Sequence, residues 1–200
     1  MSTLIGRRGL ILGATAALAL GATGVPAFAL SHADPIRQGS RLDRLVPSID
    51  PVLNIVNAHT NERAEVRFFT ADGYDKDAVD RLNWVWRDWR DNDAPQIDVR
   101  LWWALAAIRA AAMKDGHSGD QILLSGFRTQ KTNELLRRRG KGAAKNSFHL
   151  KAKATDFCME GIGTRDLAKF AKWLEVGGTG TYSRSGFVHI DSGEERTWGS

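Results

Sequence analysis

His149, Asp156 and His189 are the residues of this chain whose types and spacing could do chemistry. The first two stand in Ser147-Phe148-His149-Leu150-Lys151-Ala152-Lys153-Ala154-Thr155-Asp156, the third in Phe187-Val188-His189-Ile190-Asp191. Two imidazoles and a carboxylate are ligands that zinc prefers. Three protein ligands leave a fourth position for water, the arrangement of a catalytic rather than a structural site. Zinc there would acidify a water toward neutral pH and polarise the bond under attack. Residues two apart on a strand share a face, so His189 and Asp191 should point together into one site. His149 and Asp156 are seven apart, an odd spacing that no straight strand can place on one face. A turn must separate them, with His149 on the approach and Asp156 on the strand. Spacing alone leaves the plainer alternative open, since a single His beside apolar residues is often a hydrogen-bonded core or surface residue.

Other patterns narrow the class. Neither the helical H-E-x-x-H zinc motif nor the G-x-S-x-G nucleophile elbow occurs in the chain, against two common hydrolase types. The pattern S-x-H-(x6)-D from Ser147, Ser125-Gly126-Phe127-Arg128 upstream and the late His-x-Asp together resemble the zinc D-Ala-D-Ala carboxypeptidase and murein endopeptidase family of metallopeptidase clan MD. Within it, the chain is most similar to a bacterial branch long catalogued as a domain of unknown function. The similarity runs from about Leu53 to Trp198 and takes in Asn57-Ala58-His59-Thr60-Asn61-Glu62, Thr132-Asn133, Gly178 and Arg196-Thr197-Trp198.

The resemblance implies that His149, Asp156 and His189 hold zinc, that Arg128 contacts the scissile carbonyl or its developing oxyanion, and that Ser147 contacts substrate. A guanidinium beside the metal suits the negative charge of a tetrahedral intermediate. Two departures stand out. Ala152 replaces the family's usual glycine, which is free of cost only where no positive φ is required. Gly186 stands where the carboxypeptidases carry a glutamate, three residues before the last His. The general base is then unassigned, with Asp191 the nearest candidate and Glu160 a poorer one, and Asp191 could instead orient His189 from behind. Nothing local gives His59 or Glu62 chemistry, and a structural bond network is the favoured reading for both. His32 lies in a lead-in and His117 in a Gly/Ser loop, both expected in solvent.

The rest of the chain must position these residues. Residues 1–29 read as an export signal: Arg7-Arg8, an apolar run from Gly9 to Val25, and Ala27-Phe28-Ala29 as a small-x-small cleavage site. The paired arginines suggest the twin-arginine route, and hence a periplasmic or cell-envelope location. The run is too mildly hydrophobic for a permanent anchor. Residues 30–50 are expected as a lead-in and 51–200 as one domain, without internal repeats. Losing Arg7 and Arg8 takes the 28 basic residues to 26 against 23 acidic. That surplus suits an anionic envelope but lacks the clustered basic face of a nucleic-acid binder. Arg137-Arg138-Arg139-Gly140-Lys141 reads as a solvated helix end. Cys158 is the single cysteine, so no internal disulfide exists, and its apolar setting suits an inert thiol.

Strands are predicted over 53–57, 64–69, 121–125 and 153–158, with short ones near 181–182 and 186–191. Helices are predicted from about Lys76 to Arg90, from an Asp98 cap to about Met113, over 130–139, and after a Thr164 cap. Gly177-Gly178-Thr179-Gly180 is a turn and not a phosphate cradle, because no Lys-Ser/Thr follows. Trp84, Trp86, Trp89, Trp102 and Trp103 are assigned to a helix–helix core. The fold expected is α+β, a small antiparallel sheet bearing the site and packed against helices. The function expected is a monomeric, exported zinc peptidase cutting amides in peptidoglycan peptide cross-links. A wall-binding scaffold that keeps the fold, or a peptidase of free dipeptides, are the alternatives.

Overall fold

A computed structural model describes residues 39–200. The export-signal reading, the first part of the lead-in and His32 fall outside the described residues. The described part of the lead-in is docked to the domain. Helix α1 (Arg41–Leu45) is capped by Ser40, fully buries Leu42, and ties Leu42 N–H to the Leu174 carbonyl at 2.9 Å. Arg100 reaches it from the core, donating to Ser40 Oγ at 2.8 Å and pairing with Asp43.

The next elements are strands β1 (Val52–Asn57), β2 (Arg63–Arg67), β3 (Phe69–Thr70) and β4 (Gly73–Tyr74), then helices α2 (Lys76–Trp86) and α3 (Val99–Lys114). They lead to β5 (Gln121–Ser125), α4 (Gln130–Arg138) and a 3-10 turn, Phe148–Lys151. The chain closes with β6 (Ala154–Cys158), α5 (Thr164–Trp173), β7 (Gly178–Tyr182), β8 (Phe187–Asp191) and β9 (Arg196–Gly199). Seven strands form one sheet in the order β2-β1-β5-β6-β8-β7-β9, and β3-β4 stand apart as a pair. The α+β class holds, but the sheet is neither small nor antiparallel throughout. β1 runs parallel to β5 and β7 parallel to β9. Both parallel pairings join segments whose intervening chain makes other elements, which strand periodicity does not reveal.

Asp98 caps α3 as expected, and Asp75 and Thr129 cap α2 and α4 in the same way. α5 is the exception: its cap is Gly163, with no side-chain bond, and Thr164 is the first helical residue. α2 stops at Trp86, not Arg90, because Arg87 turns to extended backbone and an Asp88–Asp93 bridge follows. Every residue of α3 from Val99 to Ile108 is buried, which makes it the central helix, between β1 on one side and α1 and α5 on others. Trp86, Trp102 and Trp103 fill the core as expected. Trp84 does not; it is 41% exposed and lies under the Arg87 guanidinium at 3.9 Å. Fully buried Leu53, Ile55, Leu123, Phe157, Val188 and Ile190 give the sheet its apolar face, each side chain of that size contributing about 1.5–3 kcal/mol. Strand alternation then sends Asp156, His189 and Asp191 to the opposite face.

Candidate metal centre

The register of β6 and β8 sets Asp156 directly opposite His189. The two side chains meet across the strands, with Asp156 Oδ1 2.7 Å from His189 Nδ1. His149 arrives from another direction, on the 3-10 turn that Ser147 caps by accepting the His149 N–H at 3.3 Å. Ala152, at φ 55° and ψ 30°, then reverses the chain into β6. The turn demanded by the seven-residue spacing is present, but it puts Ala152 in the left-handed region. The condition for a cost-free replacement of glycine is therefore not met, and the strain is of order 1–2 kcal/mol. It is held by an Ala152 N–H bond to the His149 carbonyl (3.3 Å) and an Asp98 N–H bond to the Ala152 carbonyl (3.0 Å).

The partners behind each imidazole assign its free nitrogen. His149 Nδ1 donates to the Gly126 carbonyl at 2.6 Å, leaving the Nε2 lone pair turned inward. His189 Nε2 donates to Asp191 Oδ2 at 3.0 Å, leaving Nδ1 turned inward. Those two free nitrogens lie 3.3 Å apart, and Asp156 Oδ2 is 3.3 Å from His149 Nε2. Tetrahedral ligands about 2.0–2.1 Å from a zinc ion stand about 3.3 Å from one another. The donor set therefore fits zinc in type, in spacing and in the hydrogen bonds that orient it. Among the described residues this is the one cluster of three or more His, Cys, Asp or Glu able to hold a metal ion.

Asp191 shares the strand face with His189 but lies behind the imidazole, away from the inward nitrogen. It is fully buried and saturated: Arg196 reaches both of its oxygens, and Gly178 N–H and Gly193 N–H donate to Oδ1. Glu160 is exposed and outside the pocket wall. Gly186 sits in the β7–β8 turn at φ 72°. No carboxylate other than Asp156 lines the pocket among the described residues.

Arg128 comes from the Gly126-Phe127-Arg128 turn after β5. Phe127 N–H bonds the Trp86 carbonyl at 2.8 Å, and a Cβ on Gly126 would stand 2.3 Å from that same oxygen. Only glycine lets β5 come this close to the end of α2, and the turn supplies both Arg128 and the carbonyl that orients His149. The guanidinium is 12% exposed, 3.8 Å from Asp156 Oδ2, and its Nε is buried without a hydrogen-bond partner among the described residues. Asp88, which the sequence did not single out, holds the next residue by accepting Thr129 N–H at 2.9 Å and its hydroxyl at 3.1 Å.

These groups open onto a pocket of about 470 Å³ whose wall includes Arg128, Ser147, His149, Asp156, Tyr182 and His189. Tyr182, Phe187 and Trp198 on that wall were not assigned roles from sequence; the terminal Arg196-Thr197-Trp198 motif was the available signal. Lys141, at the end of the exposed basic run, also reaches the rim. Burial pushes the His149 imidazolium down, against the opposing pull of the Asp156 carboxylate. Burial alone would raise Asp156, but the two imidazoles beside it outweigh that and keep it ionised. Burial opposes charge on His189 too, yet the carboxylates of Asp156 and Asp191 on either side of the ring raise it. Asp191 is likewise raised by burial, but its bonds to His189 and Arg196 win and bring it to about 2.

His59 and Glu62 lie in a bond network at the outer end of β1. His59 Nε2 donates to the Leu124 carbonyl at 3.0 Å. Glu62 takes Arg87 at 2.6 Å, Trp84 Nε1 at 2.9 Å and the Thr60 hydroxyl at 2.7 Å. Arg87 precedes the Asp88 that holds Thr129, so the network braces the turn carrying Arg128.

Three converging ligand atoms, a buried guanidinium and an open pocket on one sheet face define a metallopeptidase-type centre. The family model described as peptidoglycan L,D-endopeptidase MepK matches residues 49–198, and the chain belongs to that peptidase family. A peptidoglycan L,D-endopeptidase MepK of Escherichia coli K12 is 39% identical over 147 residues, 74% of this chain and 79% of the relative. The Shigella flexneri protein of the same name matches to the same extent. A Haemophilus influenzae protein named a probable peptidoglycan L,D-endopeptidase MepK is 34% identical over 148 residues, 74% of this chain and 78% of its own length. No solved structure matches the chain significantly.

Proposed function

We propose that this chain is an exported, zinc-dependent murein endopeptidase that hydrolyses an amide between L and D centres in peptidoglycan peptide cross-links. The observation that carries the reading is the convergence of His149 Nε2, His189 Nδ1 and the Asp156 carboxylate beside the Arg128 Nε, which has no hydrogen-bond partner among the described residues. The relatives' names supply the substrate class and the L,D preference. Zinc held by His149, Asp156 and His189 supplies an acidified water and a Lewis acid for the amide carbonyl.

The chain's own residues do the rest. Arg128, desolvated and short of partners, holds the carbonyl oxygen as it gains charge; burial makes that interaction far stronger than in water. Asp191 fixes the His189 ring so that Nδ1, not Nε2, faces the metal position. We assign it this orienting role in preference to that of a base, because the imidazole stands between it and the pocket. Ser147 holds the His149 turn through its oxygen and keeps its hydroxyl hydrogen for substrate. Export follows from the signal within residues 1–29, and no helix of the described residues is long and apolar enough to cross a membrane.

The test is digestion of purified L,D- and D,D-cross-linked dimeric muropeptides, followed by chromatography, with the metal stripped by chelator and zinc restored. Cleavage of the L,D dimer that returns with zinc, at close to one zinc per chain, is the expected result. Activity indifferent to chelation, or stoichiometric zinc surviving His149→Ala with His189→Ala, would overturn the assignment.

A further inference from the structure

The pocket wall built by the end of the chain has a hydrogen-bond polarity that assigns a role to Tyr182. β9 runs alongside β7 with Trp198 opposite Gly180. A Cβ on Gly180 would stand 2.6 Å from the Trp198 ring, so the glycine lets the indole lie flat across β7. There the indole sits 5.2 Å from the His189 ring, and its Nε1 is 2.9 Å from the Tyr182 hydroxyl oxygen. The Tyr182 ring stacks on Phe187 across the β7–β8 hairpin, centroids 4.5 Å apart and planes 16° off parallel. The phenol is held on one face by a ring and at its tip by an N–H.

An indole N–H can only donate. The Tyr182 oxygen must therefore accept, and the phenol's own hydrogen remains available. Trp198 is the hydroxyl's one hydrogen-bond partner among the described residues. Tyr182 lines the same pocket as Arg128, His149, Asp156 and His189.

We propose that Tyr182 is a catalytic residue of this site: its hydroxyl, aimed by Trp198, donates a hydrogen bond beside Arg128 to the oxygen that becomes negative when water adds to the scissile amide. The proposal rests on the amide-hydrolase reading above. Water's oxygen bonds to the carbonyl carbon, the carbon–nitrogen bond breaks, and water's hydrogens leave on the new carboxyl and amine. Tyr182 keeps its proton throughout. A donor placed for the transition state is worth more there than in the ground state, so its loss should fall on kcat and not on KM.

Tyr182→Phe keeps the stack on Phe187 and removes only the hydroxyl. On the L,D-cross-linked dimer, kcat should fall by roughly 10²-fold with KM within about three-fold, the scale of a lost oxyanion donor. A dipeptide phosphinate that mimics the tetrahedral intermediate should bind the zinc-loaded variant about 10²-fold more weakly by calorimetry, while zinc content and thermal midpoint stay unchanged. Trp198→Phe, which keeps an aromatic ring but lacks the N–H, should reproduce part of the loss. The double variant should be no worse than Tyr182→Phe, because the two act as one unit. A Tyr182→Phe protein that matches the wild type in kcat and in phosphinate affinity overturns the role of Tyr182 and leaves the endopeptidase reading standing. A wild-type chain that neither cleaves muropeptides nor binds the phosphinate removes both.

Discussion

Replacing Asp191 by Asn separates an orienting carboxylate from a general base. The carboxylate accepts five hydrogen bonds. His189 Nε2 (3.0 Å) and Arg196 Nη2 (2.7 Å) share Oδ2. Arg196 Nη1 (3.0 Å), Gly178 N–H (3.3 Å) and Gly193 N–H (2.8 Å) share Oδ1. An amide offers one oxygen, so whichever side receives its NH2 faces donor with donor. If the NH2 turns to His189, that ring either loses its partner or moves its proton to Nδ1, the atom that must ligate. We expect zinc affinity to fall about 10–100-fold, equivalent to about 1.4–2.7 kcal/mol, measured by competition with a chromophoric chelator. At least two buried groups lose their acceptor, at about 1–3 kcal/mol each. Metal-free Asp191→Asn should therefore lose about 2–6 kcal/mol in urea unfolding yet still fold. At saturating zinc, turnover should return to within about ten-fold of wild type. Zinc affinity within about three-fold of wild type, with turnover still down about 10³-fold in excess metal, is the signature of a lost base and would refute this reasoning.

Three further expectations follow from the same geometry. Arg128→Lys keeps the charge but loses the planar fork whose Nε has no hydrogen-bond partner among the described residues, so zinc should be retained and turnover cut by roughly 10²-fold or more; unchanged turnover removes Arg128 from the mechanism. Ala152→Gly relieves a non-glycine residue at φ 55°, and should stabilise by about 0.5–1 kcal/mol, raising Tm by about 2–3 °C by calorimetry; a lower Tm would mean that the lost methyl packing dominates. Glu62 is held near 2, against its ordinary 4.5, chiefly by its bond to Arg87. A lowered carboxyl stabilises fully above its unfolded value and loses that contribution as pH falls toward its folded one. Solvent screening reduces the effect to about 1 kcal/mol, so the advantage of wild type over Glu62→Gln in urea midpoints should be present at about pH 6 and shrink by about pH 3. An advantage independent of pH in that range contradicts the ion-pair account.

Much of the local structure was legible because it depends on near neighbours. Asp98 announces the start of α3 through its own oxygen, and alternating apolar residues mark β1 as half-covered. The ligand atoms could be chosen because His149, Asp156 and His189 carry the right chemistry, and the odd spacing of the first two already required the turn that Ala152 makes. That Ala152 would adopt the left-handed region was not legible, since an alanine does not advertise it. Other features were settled by contacts between distant segments. Periodicity reports which face of a strand is apolar, but not which strand lies alongside, so the parallel β1–β5 and β7–β9 pairs could not be read. The i, i+2 rule put Asp191 on the side of His189, yet not which ring nitrogen it would meet. Nor did any spacing relate Trp198 to Tyr182 or Glu62 to Arg87. Sequence determined the groups able to do chemistry because that is a property of each side chain. The tertiary structure alone decided their roles, because a role depends on the direction of a hydrogen bond, and direction exists only once strands far apart in the chain are packed side by side.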